Sequence, residues 1–286
     1  MPDVPVSYPP IIKLIQLGFQ TLGRIFPQKA AAIAFEMFST PRIRAKHKIS
    51  DPILESARMF EFLYGKQVLK GYEWGSGTQT ILLVHGWESR GTALRTFVPA
   101  LLERGYRVVA FDGPAHGNSD GKTTNLIQFA GAIRAAIRQV GQVHGIIAHS
   151  FGGASTVYGL AHLKPEIELN KLVLIATPDS IKKVLQDTTK TLRLPKNVAD
   201  NFFKMVEKRL KNEISAVDVS RAGDKIPVKE TLIVHDLLDP VVPFATSEHI
   251  YQRWKNVELL VSEGYGHYRL MKNPDVIARV AAFLQR

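Results

Sequence analysis

Six short apolar runs set the rhythm of this chain. They are Ile81–Val84, Val108–Phe111, Ile146–Ala148, Leu172–Ala176, Leu232–Val234 and Leu259–Val261. A continuously apolar run of this length suits a strand buried on both faces, the setting of a parallel sheet covered by helices. Helical patterns fill the intervals at Ala93–Arg104, Ile127–Gln139, Ala154–Leu163 and Ser247–Trp254, and a last one follows at Asp275–Leu284. Right-handed crossovers would wind this alternation into a doubly covered α/β sheet. Ahead of it, Phe60–Tyr64 and Gln67–Trp74 flank Gly65-Lys66 and read as a β-hairpin.

Two stretches break the rhythm. Over fifty residues separate Thr177 from Thr231. Ile181, Val184, Leu185, Thr188 and Leu192 mark one amphipathic helix there, and Leu194-Pro195 interrupts it. Val198, Phe202, Met205, Val206 and Leu210 mark a second, with Asn197 as its expected N-cap. An insertion at the carboxyl end of a strand sits where open α/β sheets bind ligands. Residues 179–228 are therefore read as a helical cap, between core segments 60–178 and 229–286. Residues 1–59 form an N-terminal helical extension. Within it, residues 11–26 read as one helix that is apolar nearly all round. Ile11, Leu14, Ile15, Leu22 and Ile25 line one side, and Lys13, Gln16, Gln20 and Arg24 interrupt it. Such a helix needs cover. Docking onto protein, including in a homodimer, is the expected solution; contact of residues 11–38 with a membrane surface is the alternative. Pro27 opens a second helix that stops before Pro41. Arg42, Arg44, Lys46 and Lys48 then alternate, which would place four cations on one face of an extended segment. Asp51-Pro52 reads as an N-cap with proline at the first helical position.

Composition narrows the chemistry. The 286 residues include no cysteine, which excludes disulfides, zinc–thiolate sites and cysteine nucleophiles. The net charge is +11. Residues 1–66 carry nine basic and five acidic side chains, and residues 179–226 carry 11 and seven, so the excess sits in the accessory parts. No basic run is interleaved with stacking aromatics, and no nucleic-acid partner is expected. The start of the chain lacks a secretory pattern and no apolar run reaches the ~20 residues of a spanning helix, so a cytoplasmic location is expected. No His, Asp and Glu spacing matches a metal site, and the glycine-rich pieces follow neither dinucleotide nor phosphate-loop patterns. No cofactor is expected.

The chemistry gathers at strand ends. Val143 to His149 runs into Ser150, and small residues Gly152, Gly153, Ala154 and Ser155 open a helix. A serine on such a strand-to-helix elbow holds its hydroxyl clear of the backbone, and the N–H of Phe151 is left unpaired at the helix start. Activating a serine requires a neutral imidazole, and a carboxylate to fix that imidazole. Asp239 lies just past one downstream strand, in a loop stiffened by Pro240 and Pro243, and His267 lies past the next, after Gly264 and Gly266. Asp236 and Asp179 are rival carboxylates. His85-Gly86-Trp87 follows the first parallel strand, and the N–H groups of Trp87 and Phe151 are the natural pair of donors for an oxyanion. His85, His116 and His149 are expected to orient backbone, and His144, His162 and His249 to pack or face solvent.

These pieces resemble the α/β-hydrolase fold superfamily, in its lid-bearing serine esterase and lipase branch. The resemblance rests on His85-Gly86-Trp87, on Phe111-Asp112-Gly113-Pro114-Ala115-His116-Gly117-Asn118-Ser119, and on the elbow around Ser150. His235-Asp236-Leu237-Leu238-Asp239 and Gly266-His267 complete it. All occur in the family's order and span residues 60–286. The resemblance implies a mostly parallel eight-stranded sheet covered by helices on both faces, with a helical cap insertion and, here, an additional N-terminal helical segment. It implies Ser150 as nucleophile, Asp239 as acid and His267 as base. It also implies an oxyanion hole from Trp87 and Phe151 and a small-molecule acyl substrate. His85, Gly86, His149, Phe202, Met205 and Val241 are the candidate pocket residues. Ala148 stands where the family's common motif has glycine, and strain is expected there. Ester, thioester, amide, C–C bond and peroxide-using chemistries all remain open on this scaffold, as does a non-catalytic ligand-binding role.

Overall fold

A computed structural model describes residues 10–45, 51–163 and 168–286, which divide into two compact units. The larger comprises Thr40–Asp179 and Asp218–Arg286. Its eight strands are β1 (Arg58–Tyr64), β2 (Gln67–Trp74), β3 (Thr80–Val84), β4 (Arg107–Phe111), β5 (Val143–His149), β6 (Leu169–Ile175), β7 (Val228–Asp236) and β8 (Val257–Ser262). They form one sheet in the order β1-β2-β4-β3-β5-β6-β7-β8. The β1–β2 and β2–β4 pairs are antiparallel and all others parallel.

The strand alternation sorts the core into two layers. Leu82, Val84, Val109, Phe111, Ile146, Ala148, Leu172 and Leu174 face one side, against helices Leu126–Val140 and Phe151–His162. Ile81, Leu83, Val108, Ala110, Ile147, Val173 and Ile175 face the other, against the segment Gly91–Leu102 and helix Pro274–Gln285. The chain steps from β3 to β4 over the second layer, then returns past β3 to β5 over the first. A right-handed crossover changes face when it changes direction. The carboxyl ends of β3 and β5 therefore flank a topological switch point, where a crevice opens in such sheets.

Local departures from expectation have physical causes. The helix expected over Ala93–Arg104 is two pieces, a 3₁₀ segment Gly91–Phe97 and an α-helix Val98–Leu102, with Leu94 at φ −94° and ψ 15°. Pro99 lacks the N–H that a continuous helix would need there. Asp51 caps Pro52–Glu55 by accepting from Leu54 N–H at 3.3 Å. Arg42 and Arg44 lie in an irregular segment, the former tied to Glu88 and the latter to the Ser119 carbonyl. Lys46 and Lys48 lie outside the described residues.

The smaller unit joins the described part of Met1–Ser39 to Ser180–Val217. The first helix expected is interrupted, as Pro10–Gln20 and Leu22–Ile25, at Thr21 (φ −103°, ψ −88°). Helix Pro27–Ser39 sets Ala30, Ala31 and Ala34 against Lys196–Leu210. Small side chains permit that close approach. Phe38 meets Phe202 edge-on at 5.9 Å, and Arg209 lies over the Phe35 ring. Helix Lys196–Leu210 takes Pro195 as its N-cap, so Asn197 falls inside it and its Oδ1 accepts from Val198 N–H instead.

The helix Pro10–Gln20 turns over the expected arrangement. Gln16 and Phe19 face inward, and Ile11, Leu14 and Leu17 are exposed. The reason is hydrogen bonding. Gln16 donates to the Thr191 carbonyl at 2.8 Å, and Gln20 donates to the Arg193 carbonyl. The Thr191 carbonyl is an orphan acceptor of the last turn of helix Ile181–Thr191, the Arg193 carbonyl lies just past its C-cap Leu192, and two glutamines one turn apart satisfy both.

Candidate active site

Ser150 sits at φ 55° and ψ −124° between β5 and helix Phe151–His162. A left-handed serine is strained, and such strain persists where surrounding structure over-determines it. Here the Ser150 N–H donates to the Ile175 carbonyl of β6 at 2.8 Å. The helix opens with glycine because nothing larger fits: a Cβ on Gly152 would lie 2.3 Å from the His85 carbonyl oxygen. Ala148 is an ordinary strand residue, fully buried and paired with Val84 and Leu174. The strain expected at Ala148 is therefore found two residues later.

The turn after β3 packs onto this elbow. A Cβ on Gly86 would approach Ser150 Cβ and His149 Nδ1 to 3.1 Å. The Trp87 ring meets the Phe151 ring edge-on at 5.3 Å. Among the described residues, the N–H groups of Trp87 and Phe151 have no hydrogen-bond acceptor. Two free donors thus flank the serine, one from the turn and one from the first turn of a helix. His85 and His116 hold the turn from beneath. His85 Nδ1 donates to the Gly86 carbonyl at 2.7 Å and its Nε2 accepts from Gly113 N–H at 2.9 Å. His116 Nδ1 donates to Pro114 O, and its Nε2 accepts from Glu88 N–H. An acceptor nitrogen means a neutral ring. Burial, the largest influence, keeps the His116 pKa low. His85 is fully buried with both nitrogens committed, so it supports the turn rather than offering an open wall.

Asp112 pins the loop after β4. Its carboxylate accepts from Gly91 N–H at 2.6 Å, Asn118 N–H at 2.9 Å and Tyr72 Oη–H at 2.9 Å. Burial and the adjacent Asp112 raise the Tyr72 pKa, which keeps that phenol a donor.

Past β7, Asp239 Oδ1 accepts from the N–H groups of Val241 and Val242 at 2.8 and 2.9 Å. Its Oδ2 accepts from His267 Nδ1 at 2.7 Å and lies 3.3 Å from His235 Nε2. Burial alone would raise this carboxyl's pKa. Hydrogen bonds from His235, His267 and the two backbone groups overcome that and hold it well below the usual carboxylate range. On the other side of the imidazole, His267 Nε2 lies 3.0 Å from Ser150 Oγ. Asp239, His267 and Ser150 therefore form one continuous hydrogen-bonded chain. His267 is itself held by His149, whose Nε2 donates to the His267 carbonyl at 3.0 Å. Burial first, then the neighbouring His267, pushes the His149 pKa down to about 3. His149 is thus a neutral donor beneath His267, with its Nδ1 facing Gly86.

The rival carboxylates are engaged elsewhere. Asp236 accepts from Leu238 and Gly264 N–H on one oxygen and from Ser262 Oγ–H and Tyr265 N–H on the other. It shapes the loop that delivers His267. Asp179 accepts from Ser220 N–H at 2.6 Å and pairs with His249 Nδ1 at 2.5 Å. His235 is the residue that the sequence left without a role. Its Nε2 donates to the Val242 carbonyl at 2.9 Å, and its Nδ1 lies 2.6 Å from Ser247 Oγ. Its position four residues before Asp239 was the available signal. Val241 is exposed beside Asp239. Phe202 and Met205 lie on helix Lys196–Leu210 of the smaller unit, where Phe202 is buried against Phe38. Among the described residues, no three His, Asp or Glu side chains gather as a metal site.

Comparison with known proteins agrees with this architecture. Residues 81–280 match the Alpha/beta hydrolase family. Non-heme chloroperoxidase CPO-A1 of Kitasatospora aureofaciens is 26% identical over 242 residues, 68% of this chain and 86% of that protein. The structure of esterase Pf2001 from Pyrococcus furiosus superposes with a TM-score of 0.66 at 22% identity, covering 86% of this chain and 96% of that one. An esterase from Exiguobacterium antarcticum does so with a TM-score of 0.62 at 20% identity, covering 80% and 100%. With its eight-stranded, mostly parallel sheet and a match across residues 81–280, the chain belongs to the alpha/beta hydrolase family.

Proposed function

We propose that this hydrolase cleaves a carboxylic ester or a related acyl compound through a covalent acyl-enzyme. The observation that carries the proposal is the relay Asp239–His267–Ser150, with spacings of 2.7 and 3.0 Å. His267 Nε2 takes the Ser150 proton as Oγ attacks the acyl carbon. Asp239 holds the opposite nitrogen protonated and stabilises the imidazolium that forms. The low pKa of Asp239 suits this role, because it accepts the Nδ1 hydrogen bond without taking the proton. The N–H groups of Trp87 and Phe151 receive the charge that develops on the carbonyl oxygen. The tetrahedral intermediate then collapses, His267 protonates the leaving alcohol, and water attacks the acyl group by the reverse sequence.

Turnover of short p-nitrophenyl esters, with fluorophosphonate labelling, tests this reading. Wild type should hydrolyse the esters and take one label. Ser150→Ala should lose the label and at least about 10⁴-fold in kcat. Equal labelling of both proteins would remove Ser150 from its assigned role. A second reading is favoured by the likeness to a chloroperoxidase. Hydrogen peroxide would replace water as the acceptor of the acyl group and yield a peracid. Peroxide-dependent halide oxidation that requires both a carboxylic acid and Ser150 would support it.

A further inference from the structure

The helices at the start of the described chain expose six of their large apolar side chains. Ile11, Leu14, Leu17, Leu22, Ile25 and Phe26 are each 53–67% exposed. Scattered apolar side chains are normal on a surface; six within sixteen residues is a concentration that is not. Its setting is cationic. Residues 10–35 contain Lys13, Arg24 and Lys29, all exposed, and no acidic side chain. The described part of the smaller unit carries 12 basic and five acidic side chains. Gln16 and Phe19 fix which side points inward, so the outward apolar face is built into the packing.

We propose that this face docks on the surface of an anionic phospholipid bilayer, lying in the interface without crossing it. Helix Pro10–Gln20 has 11 residues, about half of what a span requires, and no helix among the described residues is long and apolar enough to cross a membrane. Aliphatic side chains and one phenyl ring enter the boundary between headgroups and acyl chains, while Lys13, Arg24 and Lys29 meet the negative headgroups. Charge selects this occupant over a second copy of the chain. A dimer through this face would bring two strongly cationic units together, whereas an anionic bilayer attracts the same charge. The inference stands apart from the reaction proposed above: it holds whichever acyl group Ser150 accepts.

The test is co-sedimentation of the full chain with vesicles of phosphatidylcholine alone, or with about one-third phosphatidylglycerol. Wild type should bind the anionic vesicles, bind neutral ones less, and release as salt is raised, because exposed charges are screened. Leu14→Glu combined with Leu22→Glu should weaken binding at least about tenfold. Arg24→Glu should weaken it about fivefold or more. All three positions are exposed, so the variants should unfold at the wild-type temperature, which checks folding without recourse to catalysis. Absence of binding to anionic vesicles by wild type would overturn the proposal. So would undiminished binding by the double variant. A wild-type dimer in solution that the double variant abolishes, with no vesicle binding, would assign the face to a second copy instead.

Discussion

The two units handle the same kinds of residue in opposite ways. In the sheet unit, apolar side chains at the strand centres are inside, and the carboxylates of Asp236 and Asp239, buried at the rim, have defined partners. Asp239 accepts four hydrogen-bonding groups, and so does Asp236. Helix Pro10–Gln20, read as apolar nearly all round and in need of cover, instead buries Gln16 beside Phe19 and leaves Ile11 and Leu14 outside. The sheet unit is organised around its own interior. The amino-terminal helices satisfy helix ends with glutamine and leave their apolar side outward. Burial is a good guide to apolar residues only where an element has no stronger demand to meet, and unsatisfied helix carbonyls are such a demand.

Substitutions can sharpen or break that contrast. The largest effect is expected within the rim. Asp239→Asn should lower kcat by about 10⁴-fold, because the amide no longer favours the required tautomer of His267. Asp236→Asn and Asp179→Asn should cost about 1–3 kcal/mol of stability, with kcat of the folded protein within about tenfold. Parallel ester assays and denaturant titrations of the three variants would decide. Comparable kcat losses in all three would mean that the rim acts as one structural network rather than one relay.

Next in size is the packing contrast. Leu82→Ala, in the middle of β3, should destabilise by about 2–5 kcal/mol. Leu14→Ala should stay within about 0.5 kcal/mol. Urea unfolding measures both, and a large loss at Leu14 would refute the outward face.

A further, pH-dependent effect belongs to His149. Its folded pKa of about 3 lies below the ordinary 6.5. Between those values the unfolded chain binds the additional proton, so stability falls as pH drops below 6.5. The loss approaches about 1.4 kcal/mol per pH unit. His149→Asn removes this contribution and should flatten the acid limb of the stability profile. Parallel acid limbs for the two proteins would show that His149 titrates normally. Asp239 acts in the same sense at lower pH. Its stabilisation is complete above the unfolded carboxylate range and is lost only as pH falls through its depressed folded value.

Much of the fold was legible because period-two alternation and continuous apolar runs are direct consequences of burial on two faces. The eight strands, the elbow at Ser150 and the order Ser, Asp, His followed from local chemistry at strand ends. Helix boundaries were less legible. Pro99 divided one helix, and Pro195 took the cap expected at Asn197. Choosing among Asp179, Asp236 and Asp239 was a matter of loop geometry, since Asp236 ends a strand and the other two follow strands on the same rim.

The sequence by itself determined the parallel sheet and the candidate nucleophile, because side-chain periodicity and an unpaired helix N–H are properties of short segments. Only the tertiary structure decided which carboxylate meets His267, that His235 braces it, and that Gln16 rather than Leu14 points inward. Those outcomes depend on which hydrogen-bonding groups arrive together from distant parts of the chain. A buried acceptor without a donor costs more than an exposed leucine, so the polar contacts prevail.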